Sequence, residues 1–391
     1  MRKLCAAVLV ALLGTSILGA GGALAQSVSA AVGNPLNQAR SLADAGKYRD
    51  AMEQANAASA AAKSAPERAK VDQMKQYIAI KSGDASIGGA LGAKAKFAKD
   101  YNAGLWKEVI ADGDGLAKTN SLDANSHLVI VQAYYQLHDS KGCMNYIRNH
   151  GLGGEAALTL MQRCAYDAND EVTQRQALEQ LVGSTGKPEH WKSLLRLSER
   201  SHGMKDHNTL DVYRLKSLTG NLENSSDVML YAQLALQMKS PAEAKTATQK
   251  GIDSKMLNAD DRTNRLLKLA TDQTNAFAGG FNGAVADARK QPQGDALVAL
   301  GEGQIGQGKT KEAIATIQEG IAKGLKDPAE GQLRLGYAYL VAGQKADATK
   351  AFAAVKGDDK DEMVAHLYTL YARSGGSASA EEAPAKKRGK K

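Results

Sequence analysis

Apolar residues along this chain recur at helical spacing in segments of roughly 10–15 residues, separated by short Gly, Asp, Asn or Ser breaks. That rhythm predicts α-helices joined by tight turns from residue 34 onward, after a flexible lead-in over 26–33. The best candidate for a strand, Leu128-Val129-Ile130-Val131, runs on through Gln132 to Leu137 at helical spacing, so no strand is expected.

A phrase repeats near the C-terminus. Leu300-Gly301 returns 35 residues later as Leu335-Gly336, Gly308 returns as Gly343, Ala313 as Ala348, and Ile317 is answered by Phe352. The turn portion has the shape Gly, large side chain, then a small or β-branched residue five places after the Gly. It occurs at Gly46–Ala51, Gly104–Val109, Gly308–Ala313 and Gly343–Ala348, with a degenerate copy at Lys239–Ala244 in which Pro241 opens the second helix. Between Gly183 and Asn224 the helical segments lose this register. The chain therefore divides into N-terminal helical repeats over 34–183, an irregular helical join over 184–224, C-terminal repeats over 225–373 and a tail over 374–391.

These residues resemble the tetratricopeptide repeat, with Leu335, Gly336, Tyr339, Ala348 and Phe352 in its characteristic places and Leu300, Gly301, Ala313 and Ile317 in part of them. The resemblance implies an all-α solenoid of stacked antiparallel helix pairs and a protein-interaction scaffold. Its concave groove would be lined by the first helix of each pair. The place that follows the Leu-Gly glycine is groove-facing in such repeats, which nominates Tyr337 and Glu302, and Gln233 and Arg40 from the fainter copies.

Composition agrees with close-packed helices: alanine is abundant, proline numbers only 7 and aromatics make up 5%. Residues 1–25 read as a signal peptide. Arg2 and Lys3 precede an apolar run from Leu4 to Leu18, and Ala23-Leu24-Ala25 before Gln26 suits a signal peptidase. Cys5 stands at the start of the apolar run, whereas a lipoprotein cysteine would follow it, and no later stretch is apolar enough to span a membrane. The expectation is a periplasmic protein. Much of the formal net charge of +8 sits at the two ends, in Arg2 and Lys3 and in a tail holding Lys386, Lys387, Arg388, Lys390 and Lys391. A body close to neutral argues against a nucleic-acid partner.

Cys143 and Cys164 flank Gly151-Leu152-Gly153-Gly154 almost symmetrically. Antiparallel helices leaving that turn would set the two side by side, favouring a disulfide over a pair of buried thiols in an oxidising compartment.

Several motifs look like chemistry. Gly303-Gln304-Ile305-Gly306-Gln307-Gly308-Lys309-Thr310 matches the phosphate-loop pattern, and Gly301, Gly303 and Gly306 spell G-x-G-x-x-G. Both need a strand before them, whereas 296–305 is in helical register, so no nucleotide or other cofactor is expected. Asp112-Gly113-Asp114-Gly115 with Asp123 places Leu116 where a calcium loop needs an oxygen ligand. The densest histidines, His190, His202 and His207, have no metal-site spacing, and no serine sits in a nucleophile elbow. The reading is a non-catalytic periplasmic scaffold with protein partners in the cell envelope. Two alternatives stand beside it: an envelope enzyme or enzyme subunit with a site in 184–224, and a binder of anionic envelope polymers through the basic tail.

Overall fold

The computed structural model describes residues 28–374. Residues 1–25, expected from the sequence to be a signal peptide, and the tail beyond Ser374 lie outside the described residues. Among the described residues every regular element is a helix, nineteen in all, and the chain forms two compact units that meet between Asp170 and Glu171.

The first unit holds α1 (Ala30–Asp44), α2 (Tyr48–Ala61), α3 (Ala65–Ser82), α4 (Ala85–Asn102), α5 (Trp106–Lys118), α6 (Ala124–Gln136), α7 (Ser140–Asn149) and α8 (Gly154–Asp167). Its hairpins α1/α2, α4/α5 and α6/α7 share one turn. A residue in the left-handed region ends the first helix, and the next N–H reaches back five residues. Examples are Leu105 N to Asp100 O at 2.9 Å and Asp139 N to Tyr134 O at 3.0 Å. Ala51, Val109 and Cys143, each fully buried, follow that turn at one fixed distance and pack against the first helix. Cys143 on α7 is bridged to Cys164 on α8, with Cα atoms 6.4 Å apart.

The second unit holds α9 (Glu171–Thr185), α10 (Pro188–Glu199), α11 (Asp206–Leu218), α12 (Ser225–Gln237), α13 (Pro241–Asp253), α14 (Asp261–Lys290), α15 (Asp295–Gly306), α16 (Thr310–Ala322), α17 (Pro328–Val341), α18 (Lys345–Ala353) and α19 (Asp359–Arg373). The hairpins α12/α13, α15/α16 and α17/α18 repeat the same turn, as in Lys309 N to Gln304 O and Gln344 N to Tyr339 O. The Leu-Gly pairs have a steric reason. A methyl group at Gly301 would stand 2.5 Å from Ile317 Cγ1, and one at Gly336 would collide with the ring of Phe352. Each glycine lets the second helix of its own pair close down on the first.

Two features depart from a plain stack of pairs. The 30-residue α14 is inserted between α13 and α15, while α13 also packs directly on α15. The last helix, α19, packs on α17 and returns to α9 and α11. Residues 184–224, expected as an irregular helical join, hold α10 and α11, both built into this unit. The boundary between compact units likewise falls after Asp170 and not in that stretch.

An acidic cleft above a buried ion network

The candidate site of the second unit begins with α11. Nearly every side chain from His207 to Lys216 is buried, charged ones included. A helix with no wet face must satisfy its polar groups internally, and α11 does so against α13, α15, α17 and α19. Arg214 clamps Glu243 on α13 in bidentate fashion, Nε to Oε1 at 2.7 Å and Nη2 to Oε2 at 2.6 Å. Its Nη1 meets Asp211 Oδ1 at 3.0 Å and Glu302 Oε1 at 2.8 Å. From α17, Arg334 donates Nη1 to the same Asp211 oxygen and to Glu302 Oε1, both at 2.9 Å. Tyr368 on α19 donates to Asp211 Oδ1 at 3.0 Å, and Tyr231 on α12 donates to Glu243 Oε1 at 2.8 Å. The guanidinium of Arg214 lies over the Tyr337 ring, 4.5 Å from its centre.

Electrostatics fixes the charge states. Burial pushes Asp211 toward its neutral form, but Arg334 and Arg214 outweigh burial and hold its carboxyl below the usual carboxylate value. Burial resists the charge on Arg214, yet Glu243 and Glu302 drive it well above its ordinary value, so it stays a cation. Burial and then Glu243 push the phenols of Tyr231 and Tyr337 up, which keeps both neutral donors. Three carboxyl groups, Asp211, Glu243 and Glu302, thus share two guanidinium groups.

Of this network, Glu302 borders a cleft of about 230 Å³. Its walls are Met238 and Lys239 at the end of α12, Asp295, Val298 and Glu302 on α15, and Asp327 and Glu330 at the start of α17. Asp327 Oδ1 caps α17 by accepting from Glu330 N at 3.0 Å, and Asp295 Oδ1 accepts from Lys326 N at 3.0 Å. Burial raises the Glu330 carboxyl above its usual value, against the pull of Arg334 and His207.

The four residues nominated as groove-facing separate into two classes. Arg40 on α1 of the first unit and Gln233 on α12 are exposed. Glu302 does border the cleft, but it is only 4% exposed and held by two arginines, while Tyr337 is 8% exposed beneath Arg214. The expectation of an open groove at Tyr337 and Glu302 is therefore corrected. In this unit α11 lies against the face those residues were expected to present. Asp211, Arg214, Glu243 and Arg334 were not anticipated from the sequence. The available signal was Arg334, a lone charge inside Leu333-Arg334-Leu335-Gly336-Tyr337, and the helical spacing of Asp211 and Arg214.

The motifs set aside earlier sit as follows. Gly303 to Gly306 is the last turn of α15 and Lys309 precedes α16, so helix and interhelical turn occupy the stretch that matches a phosphate loop. A Cβ at Gly303 would stand 2.5 Å from Phe277 Cζ, which accounts for that glycine by packing. Asp112 lies within α5 and pairs with Lys96 Nζ at 2.7 Å. His207 Nε2 meets Asp361 Oδ1 at 3.0 Å. Among the described residues, no three His, Cys, Asp or Glu side chains are grouped to hold a metal ion, and no helix is long and apolar enough to cross a membrane.

No family model and no curated protein matches the sequence. Solved structures similar to it include the tetratricopeptide-repeat domain of P58(IPK), at 14% identity over 88% of this chain and 99% of that one, with a TM-score of 0.26. A tetratricopeptide repeat protein from Parabacteroides merdae aligns at 12% identity over 88% and 99%, with a TM-score of 0.21. The APC/C hetero-tetramer Cut9–Hcn1 aligns at 12% identity over 88% and 73%, with a TM-score of 0.24. On its own geometry, with a left-handed turn, a small buried residue and a Leu-Gly contact in register, the chain is an all-α, tetratricopeptide-like protein built of helix pairs.

Proposed function

We infer that this is a non-catalytic, periplasmic interaction scaffold that receives a segment of a partner protein at the acidic cleft of its second unit. The observation that carries the reading is the position of Glu302. It borders a cleft walled by successive first helices, α12, α15 and α17. In such scaffolds a partner segment lies across those helices. The titratable groups of 184–224 that converge, Asp211 and Arg214, are consumed in fixed ion pairs, which disfavours placing catalysis there. Carboxylates on the wall favour a basic or neutral partner segment over an acidic one.

The test is crosslinking of the tagged, secreted protein in cells, followed by purification and mass spectrometry, with Asp327→Lys/Glu330→Lys as the comparison. A discrete envelope protein recovered with the natural chain and depleted with the charge-reversed one, at equal helicity, supports the reading. Equal recovery from both contradicts it. Osmotic-shock release of a product beginning at Gln26 tests the periplasmic location, and retention of an uncleaved product inside the cell contradicts it.

A further inference from the structure

The cleft is more than a row of surface acids. Glu302 is almost fully buried, and both arginines of the network reach it through Oε1, leaving Oε2 outside the network. Three buried carboxyl groups share two guanidinium groups, and the carboxyls of Glu330, Asp327 and Asp295 outnumber Lys239, the cation of the wall. Val298, Met238 and Leu325 supply apolar surface between those charges. Carboxylates above an aliphatic wall suit a lysine or arginine side chain, whose stem is apolar and whose head is a cation.

The same chain supplies such side chains. Lys386, Lys387, Arg388, Lys390 and Lys391 form one basic run beyond Ser374. The start of α19 lies near the start of α17, whose Asp327 and Glu330 wall the cleft: a Cβ at Gly357, just before α19, would stand 2.7 Å from Ala329 Cβ. Ser374 follows the end of α19, one helix length or about 22 Å further on at 1.5 Å per residue. Lys386 lies twelve residue steps beyond Ser374, a span of up to about 40 Å at full extension. Tethering on such a short link gives the basic run a high local concentration at the cleft.

We propose that the acidic cleft binds a Lys/Arg-rich segment and that its occupant in the free protein is this chain's own 386–391. The inference rests on the cleft being a segment-binding site. It adds self-occupancy, so a basic partner segment would have to displace the tail.

Zero-length carbodiimide coupling of the purified full-length protein tests this, because it joins a carboxylate to an amine only where the two touch. The expected products link Lys386, Lys387, Lys390 or Lys391 to Asp295, Asp327 or Glu330. Their yield is unchanged on tenfold dilution of the protein. It falls about fivefold in Glu330→Gln, the change that accompanies loss of one partly exposed ion pair. Coupling of the tail lysines to carboxylates elsewhere in equal yield, or to none, overturns the proposal. A yield that drops with dilution also overturns it, since the occupant is then a second copy. If the tail is absent from the cleft while partner capture still depends on Asp327 and Glu330, the inference fails and the binding-site reading stands.

Discussion

Arg334 on α17 holds Asp211 on α11 across 123 residues of sequence, its Nη1 2.9 Å from Oδ1 and its Nη2 on Oδ2. Both side chains are all but inaccessible to water. Buried charges of this kind contribute little when paired but cost heavily when one partner is removed. Arg334→Ala strands Asp211 and weakens the hold on Glu302, so urea unfolding of the second unit should show a loss of about 3–5 kcal/mol. Asp211→Leu combined with Arg334→Met should lose less than the two single changes added together. Strict additivity in that cycle would contradict a direct interaction.

Packing at the Leu-Gly pair makes a second test. Gly336→Ala drives a methyl group into the Phe352 ring and should cost about 1–3 kcal/mol, as overpacking does. Phe352→Leu should recover part of that loss in the double variant. A neutral Gly336→Ala, measured by thermal unfolding, would mean that the two helices do not approach this closely.

The Cys143–Cys164 bridge closes a loop of sequence separation 21 between two fully buried positions. Loop-closure entropy makes it worth about 3 kcal/mol. Reduction with dithiothreitol, or Cys164→Ser, should lower the unfolding transition of the first unit and leave that of the second in place. Equal shifts in both, followed by hydrogen exchange, would show that the effect is not confined to the bridged helices.

Glu67 provides a pH signature for the first unit. Its carboxylate accepts from Ser29 Oγ at 2.6 Å and from Ser64 N, Lys63 N and Ser29 N, and these bonds hold it at about 2, below its ordinary value of about 4.5. A depressed carboxylate contributes stability that is fully present above about 4.5 and is lost as pH falls toward about 2. Glu67→Gln should therefore destabilise the first unit near neutrality and flatten its acid limb over that window. Parallel acid profiles for the two proteins would exclude this carboxylate as the source.

What could be read from the sequence follows local geometry. The turns with glycine in the left-handed position, at Gly46, Gly104, Gly308 and Gly343, announced their hairpins directly. His138 and Lys239 adopt the same conformation, φ 57° and 59°, with side chains that seldom signal it, so the α6/α7 hairpin gave no cue and α12/α13 only a faint one. The helix α11 was obscured for a different reason. Apolar periodicity marks a helix with one wet face, whereas Leu210, Val212 and Leu215 share α11 with Asp211, Arg214 and Lys216, and all are buried. Pairing that justifies Asp211 and Arg214 comes from Glu243, Glu302 and Arg334, all distant in sequence. Local rules placed Glu302 and Tyr337 on the first helices of their pairs. Only the tertiary fold reveals that α11 covers them.

Amide hydrogen exchange across α11 tests most directly whether that face is filled in solution. The backbone amides of 210–215 should exchange as slowly as those of α15 and α17, and Arg334→Ala should accelerate α11 and α19 together, since Tyr368 shares Asp211. Fast exchange of α11 in the natural protein, with α15 and α17 still protected, would mean that the groove stands open and that Tyr337 and Glu302 are free to meet a partner.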